Sequence, residues 1–220
     1  MREYVPGFAA VQQRASCPFA ARARIRAAEP FGGLDSRAAG AAALPLLAEF
    51  TARVASDELD GFLVELTHPA HGSDVDALAA ATLQVLVGLL EAAGASVAEA
   101  LRDAGRANWW LTLLGTRWFV LAFAPCYPER SPRSTLGARS VFLLFQPVAS
   151  FDRHASPRGT VIPLPVRLAI QQAYAASGRP YDPELALQDV EALKFVWPMP
   201  DDERRPVRWW TSLVGSADAP

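Results

Sequence analysis

The amino-acid sequence predicts one α+β domain over residues 1–220, built on a mostly antiparallel central sheet flanked by helices. Three observations lead there. Segments with apolar residues at helical spacing lie before residue 92 and again after residue 163. Apolar, strand-like runs bounded by turn residues lie between residues 61 and 145. No repeat, low-complexity tract or linker divides the 220 residues.

In chain order, a helix is expected to start near Pro18, since proline is tolerated in a first turn, and to run through Arg26. Gly32 and Gly33 then break the chain. Leu44, Leu47, Phe50 and Val54 recur at helical spacing, which predicts a helix from Ser36 to Ala55 capped by Asp35 or Ser36. Gly61 to Leu66 is short and apolar and reads as a strand. A second helix, Val75 to Ala92, is nearly free of charge and should be buried, with Ser73 or Asp74 as cap. Ser96 to Asp103 forms a shorter helix. Two apolar runs, Trp109 to Leu114 and Trp118 to Phe123, flank Gly115, Thr116 and Arg117 and predict a β-hairpin. Ser140 to Phe145 adds a strand, and helices follow at Leu164 to Ser177 and Glu184 to Leu193. The tail from Pro198 to Pro220 has little regular signal beyond Trp209 and Trp210, a candidate dimer surface.

Composition narrows the function classes. A formal net charge of -2 leaves no excess of clustered cations for nucleic acid. The first seven residues hold no apolar segment of signal-peptide length, and the apolar stretches Ala77 to Leu90 and Leu111 to Cys126 are too short or interrupted for a bilayer span of ~20 residues. A cytoplasmic chain with two free thiols, bound to neither membrane nor nucleic acid, is the expectation. Phosphate-loop, dinucleotide, serine-hydrolase and zinc-protease motifs are absent from the sequence.

Candidate chemistry rests on scattered residues. His68 and His71 sit in a loop after a strand, where they are either ligands or solvated side chains. His154 adjoins Asp152 and Arg153 and reads as a surface residue, while Cys126 reads as a structural thiol. Cys17 precedes Pro18 at the expected mouth of a helix, where free N–H groups stabilise a thiolate and Arg22 and Arg24 add positive charge; an inert thiol behind Phe19 is the alternative. The most specific stretch runs from Trp118 to Arg133. A strand there delivers the chain into a proline-stiffened loop bearing Tyr127, Arg130, Ser131 and Arg133. Two such arginines suit a carboxylate or phosphate.

These pieces resemble the YqcI/YcgG family, which includes heme-dependent N-oxygenases such as the guanitoxin-pathway N-hydroxylase and the arginine hydroxylase of the cycloserine pathway. The resemblance is carried by Ser16 to Phe19, the apolar helix Leu83 to Leu90, Gly115 to Val120, Arg130 to Arg133, Phe145 to Pro147 with Phe151, and Gly178 to Asp182. The chain departs from the family in having Ser16 where proline is usual before the cysteine, and in lacking a histidine that some members carry between the long helix and the hairpin.

The resemblance implies heme b (iron protoporphyrin IX) and hydroxylation of a nitrogen in an amino acid, small amine or guanidine of specialised metabolism. Thiolate ligation favours O–O cleavage, which makes Cys17 the first choice of axial ligand, ahead of Cys126, His71 and His154. Arg130 and Arg133 would hold the propionates, with Tyr127 beside them. A non-catalytic heme- or small-molecule-binding protein is the second reading. A thiol enzyme with a histidine base ranks last, because the sequence offers no third group to orient the base.

Overall fold

A computed structural model of the chain describes residues 1–33, 35–154, 163–179, 181–199 and 206–211. Its strands are β1 (Ile25–Ala27), β2 (Gly61–Leu66), β3 (Leu111–Leu113), β4 (Thr116–Phe123) and β5 (Val141–Pro147). They form one sheet in the order β1-β2-β5-β4-β3, antiparallel at every junction except the parallel pairing of β1 with β2. The helices are α1 (Pro6–Arg14), α2 (Ser36–Arg53), α3 (Val75–Ala92), α4 (Val97–Leu101), α5 (Val148–His154), α6 (Leu164–Ala176) and α7 (Pro183–Ala186). The expected α+β class and the mostly antiparallel sheet are what the chain adopts.

Strand alternation gives the sheet two apolar faces. Phe62, Val64, Trp118, Val120, Leu143 and Phe145 belong to the face covered by α2 and α3, and Phe50 of α2 packs there against Phe62 and Trp118 at ring-centroid distances of 5.7 and 6.1 Å. Each such fully buried side chain contributes ~1.5–3 kcal/mol of hydrophobic stabilisation. The two helices approach closely because Gly40 and Gly88 carry no side chain: a Cβ on Gly40 would lie 2.1 Å from the Val85 carbonyl oxygen, and one on Gly88 would lie 2.0 Å from that of Arg37. Helix α3 is the one described helix long and apolar enough to cross a membrane, with a mean hydropathy of 1.6, and 61% of it is buried within the fold as a core helix would be.

The opposite face presents Leu63, Leu121, Phe123, Phe142 and Leu144. Helix α1 covers part of it, with Phe8 edge-on to Phe123 and Phe142 at 5.4 and 5.3 Å. The remainder of that face carries the cavity described below.

Asp35 and Asp74 cap α2 and α3 by accepting from Ala38 N and Ala77 N, both at 2.7 Å. The expected hairpin forms, but its turn is tighter than the sequence suggests. Leu114 and Gly115 occupy it with φ of 53° and 69°, the paired left-handed conformation of a two-residue turn.

Other expectations are corrected. The segment from Pro18 to Arg26 is not a helix: a single 3-10 turn, Ala20–Arg22, leads directly into β1. The expected helix Glu184 to Leu193 is split into α7 and a 3-10 turn, Glu191–Lys194. Helices α1 and α5 were not foreseen. Trp209 is not exposed: it stacks on Phe195 at 5.4 Å and donates its Nε1–H to the Ala192 carbonyl at 2.7 Å, whereas its neighbour Trp210 is half-buried. The rest of the tail, from residue 212, lies outside the described residues.

Candidate functional site

A cavity of about 190 Å³ lies between the second face of the sheet and the elements above it. Its floor is Phe119, Leu121 and Phe123 of β4 with Leu144 and Gln146 of β5. Phe8 and Val11 of α1 form one side, and Ile170 and Tyr174 of α6 form another. A smaller cavity of about 120 Å³ adjoins it, sharing Phe119, Phe151, Ile170 and Tyr181 as the dividing wall and holding Lys194 and Glu191, paired at 2.8 Å.

Cys17 and His154, distant in sequence, both line the larger cavity. Cys17 arrives on the segment between α1 and the 3-10 turn, where the backbone N–H groups of Phe19 and Ala20 lie near its sulfur and favour the thiolate, while Ala20 N donates to the Cys17 carbonyl at 3.1 Å. The sequence places free N–H groups of a helix mouth here; the structure has a 3-10 turn instead, and its Ala20 N–H is committed to the Cys17 carbonyl. Burial outweighs them and pushes the Cys17 thiol up, so it is a neutral thiol near pH 7. Arg22 and Arg24 are exposed, and Arg24 pairs with Glu58 at 3.2 Å.

His154 ends α5. Its Nε2 lies 2.8 Å from Asp60 Oδ1, the same oxygen that accepts from Arg153 Nη2 at 2.7 Å, while Asp60 Oδ2 accepts from Arg24 N at 2.8 Å. A carboxylate only accepts, so Nε2 carries the proton and Nδ1 is left for another partner. Asp60 is almost completely buried, and it is the orienting group that the sequence did not reveal. Among the described residues no hydrogen bond joins Cys17 to His154; the ring of Phe19 lies 6.1 Å from that of His154.

The other sequence candidates lie apart. Tyr127 is buried, donating its hydroxyl to the Trp197 carbonyl at 2.7 Å and accepting from Trp197 N at 3.1 Å, which ties the loop to the carboxy-terminal segment. Arg133 is also buried. Its guanidinium sits 4.8 Å from the Trp197 ring and 5.5 Å from that of Phe123, and Nη2 donates to the Lys194 carbonyl at 2.9 Å. Arg130 is exposed beside a separate hollow bordered by Asp182 and Met199. Neither Tyr127, Arg130 nor Arg133 lines the cavity that Cys17 enters. Cys126 is half-buried, its thiol pushed up to about 11 by burial. His71 lies 3.2 Å through Nδ1 from Ser36 Oγ and faces His68, and burial and that neighbour both lower its pKa.

Sequence reasoning missed Asp60, Gln146 and Arg179, all of which line the cavity. Gln146 and Arg179 fell within stretches singled out beforehand, Phe145 to Pro147 and Gly178 to Asp182, whereas Asp60 did not. Among the described residues no group of three or more His, Cys, Asp and Glu side chains is placed to hold a metal ion by itself. Comparison with known proteins finds no family model, no curated protein and no solved structure that matches this chain.

Proposed function

We propose that the cavity on the second face of the sheet holds heme b, and that the protein is a heme-dependent oxygenase acting on a nitrogen of an amino acid or small amine. The observation that carries this reading is Cys17 on the wall of a cavity whose floor and sides are largely aromatic and aliphatic, with Asp60, Gln146, His154 and Arg179 as its polar lining. The nearby N–H groups of Phe19 and Ala20 favour a thiolate once a metal has drawn off its proton. His154, fixed by Asp60, is the second nitrogen or sulfur donor on the same walls.

The donors suit the group, whereas the enclosed space is small. Pockets for drug-sized ligands run from ~300 Å³ upward, against about 190 Å³ here. Admission of a porphyrin therefore requires the cover to shift. Helix α6 is the element suited to move, because it exposes Leu164 and Leu168 and buries only Tyr174 completely. Bound there, the heme would supply the oxygen activation that no side chain of this chain provides. The chain's own contribution is a cavity with aromatic walls, a sulfur donor and a partly exposed histidine of fixed tautomer. Lys194 and Glu191 in the adjoining cavity offer both signs of charge to an amino acid held beside it.

Protein produced with added heme precursor should purify with close to one porphyrin per chain, and Cys17→Ala should lose it while Cys126→Ala keeps it. Colourless protein with a normal fold, or equal porphyrin content in both variants, would overturn the assignment. One observation favours a second reading, a thiol enzyme: the Asp60–His154 pair completes the orienting arrangement that such chemistry needs. The neutral Cys17 thiol and the absence of a hydrogen bond to His154 among the described residues rank it below the first.

A further inference from the structure

Two guanidinium groups are buried in this fold without a carboxylate partner among the described residues. Arg179 is 9% exposed and Arg133 3%. Arg179 donates from Nη1 to the Arg14 carbonyl at 3.0 Å and from Nη2 to the Ser131 carbonyl at 2.8 Å. Its Nε is buried and has no hydrogen-bond partner, as is Arg133 Nη1. Leaving a buried charged donor unpaired is costly, more so than for a neutral group. Carbonyl oxygens satisfy some of the N–H groups but do not neutralise either charge. Glu129, the acidic group that does act on Arg179, is exposed and is paired at the surface with Arg14 at 2.9 Å.

Arg179 lines the same cavity as Cys17, beside Tyr174 and Tyr181. The cavity's one acidic group, Asp60, is already occupied by Arg153 and His154. We infer that Arg179 is a carboxylate-recognition residue: the occupant of this cavity has an apolar body and a carboxylate that balances the buried charge of the Arg179 guanidinium. The inference shares its cavity with the heme reading and deepens it, since heme itself carries two carboxylates, but it does not depend on iron. The carboxylate belongs to a porphyrin side group or to a smaller carboxylic acid, and the two sources are distinguishable by experiment.

The test uses the full chain and 3-phenylpropionate as probe, compared with its uncharged primary amide by calorimetry. The acid is expected to bind at least roughly tenfold more tightly than the amide, since only the acid offers a charged partner to the guanidinium. In Arg179→Gln the preference should vanish, and Arg179→Lys should restore part of it, with circular dichroism showing that both variants fold. Equal binding of acid and amide by the wild-type chain, no binding of the acid, or a preference that survives in folded Arg179→Gln would each overturn the inference. If Arg179→Gln does not fold, the wild-type comparison decides alone. A parallel titration compares hemin with its dimethyl ester. Weaker binding of the ester to the wild type assigns the carboxylate to the porphyrin, and equal binding assigns it to a smaller acid. Failure of hemin to bind while the acid keeps its preference would remove the heme reading and leave this one standing.

Discussion

His154 Nε2 donates to Asp60 Oδ1 across 2.8 Å, joining the last residue of α5 to the residue that immediately precedes β2. The carboxylate also accepts from Arg153 and from the backbone of Arg24, so one buried group anchors α5 and the approach to β1. In Asp60→Asn the side chain keeps one acceptor but can no longer receive all three donors or neutralise Arg153. A loss of about 2 kcal/mol is expected, the scale of hydrogen bonds to a charged partner, measured by chemical denaturation. The His154 ring should also change tautomer population, visible in its nitrogen chemical shifts. An unchanged ring spectrum would deny that Asp60 sets the tautomer.

Tyr127 holds the carboxy-terminal segment by donating to and accepting from the backbone of Trp197. Tyr127→Phe keeps the ring but leaves a buried N–H and a buried carbonyl unpaired. Its expected cost is about 1–3 kcal/mol. Exposed Arg22→Ala should stay within about 0.5 kcal/mol of the wild type, as ordinary surface substitutions do. Thermal denaturation of the pair checks the contrast.

Gly40 and Gly88 set the distance between α2 and α3. Alanine improves helix propensity by about 1 kcal/mol over glycine. Here, however, the added carbon would meet a backbone carbonyl at 2.1 or 2.0 Å, and a backbone cannot rotate away as a side chain can. Overpacking of this kind costs about 1–3 kcal/mol or more. Both Gly40→Ala and Gly88→Ala are therefore expected to lower the denaturation midpoint. Stabilisation by either would show that the helices do not pack this closely.

The two thiols should resist alkylation at neutral pH for the same physical reason. The reactive species is the thiolate, and burial favours the neutral form, raising both pKa values. In Cys17→Ser the remaining Cys126 should react with iodoacetamide along a pH curve whose midpoint is about 11. In Cys126→Ser, Cys17 should titrate above the ordinary thiol range. A Cys17 midpoint below that range would mean that the nearby N–H groups outweigh burial, and would strengthen the thiol-enzyme reading.

Much of the framework was legible because it rests on local patterns. The apolar periodicity of α2 and α3, their aspartate caps and the Gly115 hairpin are each written within a few residues of sequence. The segment from Pro18 to Arg26 departs from the helix its sequence suggests because Pro18 is a helix-start signal that β1 overrides by pairing with β2, a contact at a separation of 36 residues between Ile25 and Gly61. Arg133 attracted attention as a ligand for anions, but its position beneath Trp197 depends on a carboxy-terminal segment that returns across the loop. The candidate site was half legible. Cys17 carried a local signal, whereas Asp60, Gln146 and Arg179 become neighbours only when α6 and the strands close over it, and no spacing in the chain encodes that closure.

The most direct test is the absorption spectrum of the purified, heme-supplied protein in its reduced form under carbon monoxide, recorded for the wild type and for Cys17→Ser. Sulfur ligation from the amino-terminal segment predicts a strongly red-shifted band in the wild type that Cys17→Ser abolishes, while the variant's far-ultraviolet dichroism stays unchanged. Identical spectra for the two proteins, or no porphyrin band in either, would contradict the account.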